Sequence, residues 1–264
     1  MSSTDVIIPY WEGSSLEDLN NSLFSLKDEI LLINKIIIVC DGENSFFKIQ
    51  IKDKDLELKL LIIYLKNNAG AGEARNTGAI FSKAENLLFL DTGDMNINNR
   101  IKFQKKVLLS NNVSVGTIKE VNSLGLNRIK LSCKNIAIAK ILLPYKNPFN
   151  NVSIGIKRKV FNKINGYGKT RIGEDWILSG KILKNIDKIH ITKEVLVLVN
   201  IKENFLKRRS GKKVYLEIRK SLEELYNLKI INRYELIISK TIQKLCRVYL
   251  SKYFLLLIYK LNRR

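Results

Sequence analysis

Along the first ninety residues, short branched apolar runs alternate with stretches whose apolar positions recur at helical spacing. Residues 5–9 (DVIIP) and 35–40 (KIIIVC) are bounded by polar side chains and read as short buried strands. Between them Ser14 and Ser15 offer N-cap chemistry, and Leu16, Leu19, Leu23 and Leu26 keep the spacing of one helix face. Residues 58–65 (LKLLIIYL) predict a third strand, 73–84 a second helix, and 86–90 (NLLFL) a fourth strand running into Asp91. Strands alternating with helices in this order predict an α/β fold with a parallel sheet covered on both faces. Such sheets bind ligands at the carboxyl ends of their strands. The distinctive residues fall there: Trp11-Glu12 after the first strand, Asp41-Gly42 after the second, and Asp91-Thr92-Gly93-Asp94 after the fourth.

Past about residue 110 the pattern loosens. Residues 152–156 and 195–199 predict strands and 174–184 a helix, and from Lys212 onward the chain reads as mostly helical, rich in Leu, Ile and Lys. No linker composition separates this last part, so it is expected to pack on the body.

Composition narrows the chemistry. The 264 residues suit one large domain, or one domain with an appendage, and at 45% hydrophobic with three prolines the chain is not disordered. Cys40, Cys133 and Cys246 lie about a hundred residues apart, with no metal-ligand spacing. An odd cysteine count without a signal peptide predicts a reducing, cytosolic setting. The single histidine, His190, sits in a strand-like Asp-Lys-Ile-His-Ile-Thr context and reads as structural, which leaves chemistry to carboxylates. No apolar run approaches the ~20 residues that span a bilayer; residues 253–259 (YFLLLIY) make a run of seven.

Charge is abundant and uneven. The net +21 comprises −5 over residues 1–100, +14 over 101–200 and +12 over 201–264. Whatever meets the acidic first hundred residues is therefore expected to differ from what the basic remainder attracts.

Three clusters carry candidate chemistry. Asp91 and Asp94, three apart beyond a buried strand, suit a Mg²⁺ or Mn²⁺ ion that also takes phosphate oxygens; they equally suit a turn with helix-capping aspartates. In Asn68-Ala69-Gly70-Ala71-Gly72-Glu73-Ala74-Arg75-Asn76-Thr77-Gly78, glycines before a helix let backbone N–H groups approach an anion, and Arg75 adds a phosphate-matching fork. Gly70-Ala71-Gly72 also begins a dinucleotide fingerprint with Asp91 downstream, but Arg75 takes the third glycine position and two strands precede the unit. In Gly173-Glu174-Asp175-Trp176, the acidic pair either complements a helix dipole or supplies a general base.

Together these residues resemble a family 2 glycosyltransferase. Pro9-Tyr10-Trp11-Glu12 corresponds to the family's Pro-x-Tyr-Asn, with Trp11 in place of the aromatic that stacks on the nucleotide base. Cys40-Asp41-Gly42-Glu43 corresponds to Asp-Asp-Gly-Ser, so Asp41 resembles the carboxylate that reads uracil. Asn68 to Gly78 matches Asn-x-Gly-x-x-x-Ala-Arg-Asn-x-Gly, and Asp91-Thr92-Gly93-Asp94 matches Asp-x-Asp-Asp with Gly93 for the middle aspartate. Asn147-Pro148-Phe149-Asn150, Gly166-Tyr167, Gly173 to Leu178 and Val199-Asn200…Lys207-Arg208-Arg209-Ser210-Gly211 resemble the acceptor half of exopolysaccharide galactosyltransferases of the amylovoran type.

The resemblance implies a GT-A fold: a Rossmann-like mixed sheet flanked by helices, with a basic helical C-terminal extension. Residues 1–200 would form the transferase domain, 1–100 its nucleotide-sugar half and 101–200 its acceptor half, followed by the extension over 201–264. Pro9, Trp11, Asp41, Gly70, Arg75 and Asp91 would bind a UDP-sugar donor, and Asp91 and Asp94 a divalent cation, Mn²⁺ or Mg²⁺. Asp175 would be the catalytic base of an inverting transfer, positioned by Glu174. Trp176 would offer a flat face to an acceptor sugar or serve as a buried structural residue. The implied reaction moves galactose or glucose to a polyprenyl-diphosphate-linked oligosaccharide in bacterial surface polysaccharide (O-antigen, capsule or exopolysaccharide) synthesis. The alternative is a non-catalytic nucleotide- or polyanion-binding protein on a degenerate transferase fold.

A pI near 9.8 is also the electrostatic footprint of a nucleic-acid protein. The basic residues are mainly lysines spread over helices without interleaved aromatics, so nucleic acid is not an expected partner. In residues 233–264, Lys240, Lys244, Arg247, Lys252 and Lys260 lie among Leu, Ile, Val and Tyr, as in an interfacial amphipathic helix. Each basic side chain near an anionic leaflet contributes about 1 kcal/mol. A C-terminal helix packed on the core with solvated lysines fits the same residues. The expected location is the cytoplasm, peripheral at the inner face of the cell membrane.

Overall fold

The computed structural model describes residues 2–11, 13–42, 53–122, 127–202 and 209–250. Four parallel strands, β1 (Thr4–Trp11), β2 (Lys35–Asp41), β3 (Leu60–Leu65) and β4 (Asn86–Phe89), lie in the order β3-β2-β1-β4. The branched runs of β1, β2 and β4 are buried on both faces, which is why they read as continuous apolar segments, while β3 at the edge is half-buried. Helices α1 (Leu16–Phe24), α2 (Lys54–Lys59) and α3 (Ala71–Phe81) connect them. Ser15 caps α1 in a capping box with Asp18: the Asp18 amide donates to Ser15 Oγ at 3.0 Å and the Ser15 amide to Asp18 Oδ2 at 3.2 Å.

Two boundaries differ from the sequence pattern. Leu58 and Lys59 close α2, whose first turn is capped by Asp53, so β3 starts at Leu60. Helix α3 begins at Ala71, and its C-cap Ser82 turns extended while its hydroxyl donates to buried Asp5 Oδ2 at 2.6 Å.

Beyond β4 the sheet becomes mixed. β5 (Met95–Asn96), β6 (Val113–Val121), β7 (Asn127–Lys130), β8 (Ile154–Lys157) and β9 (Ile189–Asn200) complete nine strands among the described residues. β8 runs antiparallel to both β4 and β6, while β9 runs parallel to β6 and antiparallel to β5. The uniformly parallel sheet predicted from alternation therefore holds for the first half only. Antiparallel neighbours need no helical crossover, and here the alternating pattern dissolves. The whole is the mixed sheet that the resemblance implied.

Helices α4 (Arg100–Ser110), α5 (Ile136–Leu142), α6 (Arg158–Lys163), α7 (Glu174–Asn185), α8 (Lys212–Asn227) and α9 (Arg233–Lys244) complete the chain's order. One core layer joins Ile7, Ile37 and Phe89 to Trp176 and Ile177 of α7 and to Ile218, Leu222 and Leu225 of α8. The other face packs Val6, Ile8 and Ile38 against Leu19 and Leu23 of α1 and Ile101 and Leu108 of α4. The C-terminal helices are thus part of the body, as the missing linker suggested. Among the described residues, no helix is long and apolar enough to cross a membrane.

Candidate active site

The carboxyl ends of β1, β2 and β4 open onto two adjoining cavities. The smaller, about 310 Å³, is lined by Pro9, Trp11, Asp41, Ala71 and Lys202. The larger, about 620 Å³, is lined by Lys130, Asn147, Asn150, Glu174, Asp175 and Arg247. Arg75, Asp91, Asp94, Val199, Ile201 and Arg209 line both, so the two cavities share a charged wall.

The loop before α3 is built by Asp41. Its Oδ1 accepts the Ala69 amide at 2.7 Å and its Oδ2 the Gly70 amide at 2.8 Å. Gly70 stands at φ +98°, a conformation that favours glycine, and turns the chain into the helix. At Gly72 a Cβ would lie 2.7 Å from Glu174 Cγ, so only glycine lets α3 approach the first turn of α7 this closely. The sequence singled out Asp41 as a base-reading carboxylate, but here it also orders the glycine loop.

Arg75 emerges one turn into α3 and is almost completely buried. Its Nη2 donates to Asp91 Oδ1 at 2.5 Å and its Nη1 to Glu174 Oε1 at 3.4 Å, and its guanidinium lies 5.1 Å from the centre of the Tyr167 ring. Burial opposes its charge, but Asp91, Tyr167 and Glu174 outweigh that and hold it protonated. The next residue, Asn76, accepts the Tyr167 amide at 2.9 Å on Oδ1. Tyr167 in turn donates its hydroxyl to Asn151 Oδ1 at 2.8 Å. The Ala-Arg-Asn stretch thereby fastens the two halves together.

Asp91 to Asp94 form a turn closed by the Asp94 amide on the Asp91 carbonyl at 3.0 Å. Thr92 Oγ1 donates to the Pro9 carbonyl at 2.8 Å, and the Gly93 amide donates to Ser22 Oγ at 2.9 Å. Gly93 sits at φ +95°, which explains glycine where the family pattern has aspartate. Asp94 is buried and its Oδ1 accepts the Asn200 amide at 3.3 Å. Burial, then the neighbouring Asp91 carboxylate, raise Asp94 well above the usual carboxylate range. Two hard carboxylates crowded at the wall of a cleft suit a divalent cation that completes its sphere with phosphate oxygens. Among the described residues, no group of three or more His, Cys, Asp or Glu side chains is arranged to hold a metal.

Glu174 and Asp175 open α7 on the side of the larger cavity and do not line the smaller one. Burial, then Asp175, push Glu174 up to about 7, with Arg75 working against them. Asp175 is half-buried and its Oδ1 accepts the Trp176 amide at 2.8 Å.

Trp176, at the wall of the larger cavity, takes the second of its two expected roles. Its ring is only 3% exposed and its Nε1 donates to the Leu143 carbonyl at 2.6 Å, so no open stacking face exists. It is the buried structural tryptophan of the two readings. Trp11 is 42% exposed at the edge of the smaller cavity. His190 lies on β9, paired with Ser114, and lines neither cavity. Glu12, Glu43, Lys207 and Arg208 lie outside the described residues.

Several lining residues were not singled out from sequence. Lys202 pairs with Asp18 at 2.5 Å beside the smaller cavity, and Glu120 pairs with Arg128 beside the larger. Both sit just past or along strands β9 and β6, whose register no local pattern reveals. Asn150, which the sequence did single out, ties down the end of β7, its Nδ2 donating to the Lys130 carbonyl at 3.0 Å and to Ser132 Oγ at 3.1 Å.

The 3-2-1-4 parallel half, its mixed continuation and the acidic turn at the carboxyl edge make this a GT-A glycosyltransferase fold. No family model matches the chain. It is 26% identical over 231 residues to the amylovoran biosynthesis glycosyltransferase AmsE of Erwinia amylovora, covering 85% of each chain. It is 24% identical over 226 residues to the UDP-Gal:α-D-GlcNAc-diphosphoundecaprenol β-1,3-galactosyltransferase of Escherichia coli, covering 84% of this chain and 82% of that one. Among solved structures, residues 1–349 of TarS from S. aureus with UDP-GlcNAc superpose with a TM-score of 0.64 at 15% identity, over 96% of this chain and 75% of that one. The chain spans 44% of the longer TarS chain. The resemblance to family 2 glycosyltransferases of the amylovoran and O-antigen type is borne out.

Proposed function

We propose that the chain is an inverting, metal-dependent family 2 hexosyltransferase. It moves galactose or glucose from a UDP-sugar to a saccharide on a polyprenyl diphosphate, in synthesis of bacterial surface polysaccharide. The observation that carries this reading is the pair of cavities meeting at Arg75, Asp91 and Asp94. Residues 1–100 supply most of the donor side and residues 101–200 most of the acceptor side, which Arg209, Val214, Ile218, Gln243 and Arg247 close.

On the donor side Trp11 stacks on the base, Pro9 and the Asp41-ordered Gly70 loop shape the floor, and Arg75 fixes the orientation of Asp91. Mn²⁺ or Mg²⁺ held by Asp91 and Asp94 would neutralise the diphosphate leaving group. On the acceptor side Asp175 takes the proton of the attacking hydroxyl, and Glu174 sets its position and local charge. Attack from one cavity and departure into the other expose opposite faces of the anomeric carbon, which gives inversion.

The membrane contact rests on α9. Tyr234, Ile237 and Ile238 of α9, and Leu245 and Tyr249 in the turn that follows it, are exposed, while Leu236, Ser239 and Gln243 are buried. This apolar face suits the headgroup boundary of a bilayer. Charge contributes less than the sequence suggested. Lys240 is paired with Glu223 at 2.8 Å, and Arg247 turns inward to the Arg209 carbonyl at 2.6 Å. Lys252 and Lys260 lie outside the described residues. The enzyme would sit peripherally at the cytoplasmic face of the membrane.

A panel of nucleotide sugars assayed with a synthetic diphosphate-lipid acceptor, followed by NMR of the product linkage, tests the function. Transfer from a UDP-hexose with inverted anomeric configuration is expected. UDP binding without turnover on any acceptor would favour the non-catalytic alternative.

A further inference from the structure

We propose that Lys130, Arg209 and Arg247 form a diphosphate-binding subsite in the larger cavity, by which the protein grips its acceptor through the charged group next to the sugar. The identity of that ligand rests on the transferase reading above; the anion chemistry of the subsite does not.

Three separate segments bring these cations to one cavity. Lys130 ends β7, with its carbonyl held by Asn150. Arg209 precedes α8, and Arg247 belongs to a wide turn over Leu245–Tyr249. Arg247 is held firmly. Its Nη1 donates to the Arg209 carbonyl at 2.6 Å, its Nε donates to Gln243 Oε1 at 2.9 Å, and its own carbonyl accepts the Gly211 amide at 2.8 Å. Gln243 is fixed in turn, its Nε2 donating to the Tyr145 carbonyl at 2.9 Å. A guanidinium strapped at both ends keeps its charge at one spot in the wall at little entropic cost on binding.

Placing like charges together is unfavourable unless an anion joins them. Burial, then Arg209, pull Arg247 below the ordinary arginine value. Of the carboxylates facing Lys130, Glu120 is engaged by Arg128, and Asp175 is the base of the transferase reading. A neutral sugar beside Asp175 brings no charge to this wall, whereas a diphosphate attached to that sugar suits the geometry of its guanidinium and ammonium groups.

Arg209 lines both cavities, so a donor diphosphate is the competing source of the same chemistry. Lys130 and Arg247 line the larger cavity and not the smaller, which assigns the subsite to the acceptor.

The test uses the full chain, Lys130→Gln and Arg247→Gln. Calorimetric binding of farnesyl diphosphate without donor is measured beside KM values for a UDP-hexose, a diphosphate-linked acceptor and the same sugar on a neutral aglycone. Each variant is expected to bind farnesyl diphosphate roughly tenfold more weakly, the loss of one charge-assisted contact. KM for the diphosphate acceptor should rise similarly, and by more than KM for the neutral aglycone, with the UDP-hexose KM unchanged. Lys130 is exposed, so its variant folds even if loss of the Arg247 strap loosens the 209–211 segment. Unchanged farnesyl diphosphate binding in Lys130→Gln overturns the subsite, as does a rise confined to the UDP-hexose KM. Weakened binding in a protein that transfers to no acceptor upholds the subsite and removes the transferase reading instead.

Discussion

Replacing Arg75 by Met tests the junction between the two halves. Arg75 is 3% exposed, while its partners Asp91 and Glu174 are 37% and 12% exposed. Methionine keeps much of the packing over Tyr167 but removes both charge-assisted hydrogen bonds. Asp91 can recover water; Glu174 cannot. Loss of the contacts alone costs about 2 kcal/mol. The remainder depends on pH. Glu174 titrates near 7 in the folded wild type, against an ordinary value of 4.5, so the native state binds the extra proton between those values. Its contribution therefore lowers stability as pH rises through that window and is constant above it. Without Arg75 the folded value moves higher still, and the loss continues above pH 7 at up to about 1.4 kcal/mol per pH unit. The expected destabilisation is thus about 2 kcal/mol at pH 6 and about 3 kcal/mol at pH 8, read from urea unfolding midpoints with unchanged slopes. Adding Glu174→Gln should abolish the pH-dependent part. An Arg75→Met effect equal at pH 6 and pH 8, or insensitive to Glu174→Gln, would refute the bridging role.

Four further outcomes are expected. Asp175→Asn should lower turnover by about 10²–10⁴-fold while calorimetry shows UDP binding intact; wild-type turnover would remove Asp175 from the chemistry. Chelation with excess EDTA should abolish transfer and added Mn²⁺ or Mg²⁺ should restore it, and full activity in EDTA would exclude a cation at Asp91 and Asp94. Trp176→Phe removes the Nε1 bond to Leu143, so it should cost about 1–2 kcal/mol in unfolding and leave the acceptor KM unchanged; a selective rise in that KM would return Trp176 to sugar binding. Serine at Tyr234, Ile237 and Ile238 should reduce co-sedimentation with anionic vesicles, and unaltered partitioning would reject α9 as the contact.

The sequence revealed the donor side better than the acceptor side for a physical reason. Buried parallel strands such as β1 and β2 must be apolar on both faces, and their helices must be capped, so Ile36–Ile38 and the Ser15 box announce themselves locally. β6 and β9 instead meet across more than seventy residues, with register shifts near Thr117, and no short pattern encodes that pairing. The same holds for side chains. Asp91 and Asp94 are legible as neighbours, whereas the Arg75–Glu174 pair joins residues 99 apart. Glu29 was invisible as a structural residue although it accepts the Ile101 and Lys102 amides at 3.1 and 2.8 Å, because it caps α4 from a distant turn. Trp176 kept two readings because an exposed and a buried tryptophan after an acidic pair look alike until the packing of α5 and α7 is known.

The strap between Arg247 and residues 209–211 bears on how the molecule is made. The strands of the β3-β2-β1-β4 sheet are all present once residue 89 has been synthesised, so this parallel half can assemble on the emerging chain. The wall of the larger cavity waits for Gln243 and Arg247, more than 150 residues later. A nascent chain therefore holds its parallel sheet well before either cavity is closed, since the smaller one also waits for Val199, Lys202 and Arg209. A ribosome that stalls after α7 and before α8 leaves an exposed face of α7 where α8 would pack, a ready target for chaperones and proteases.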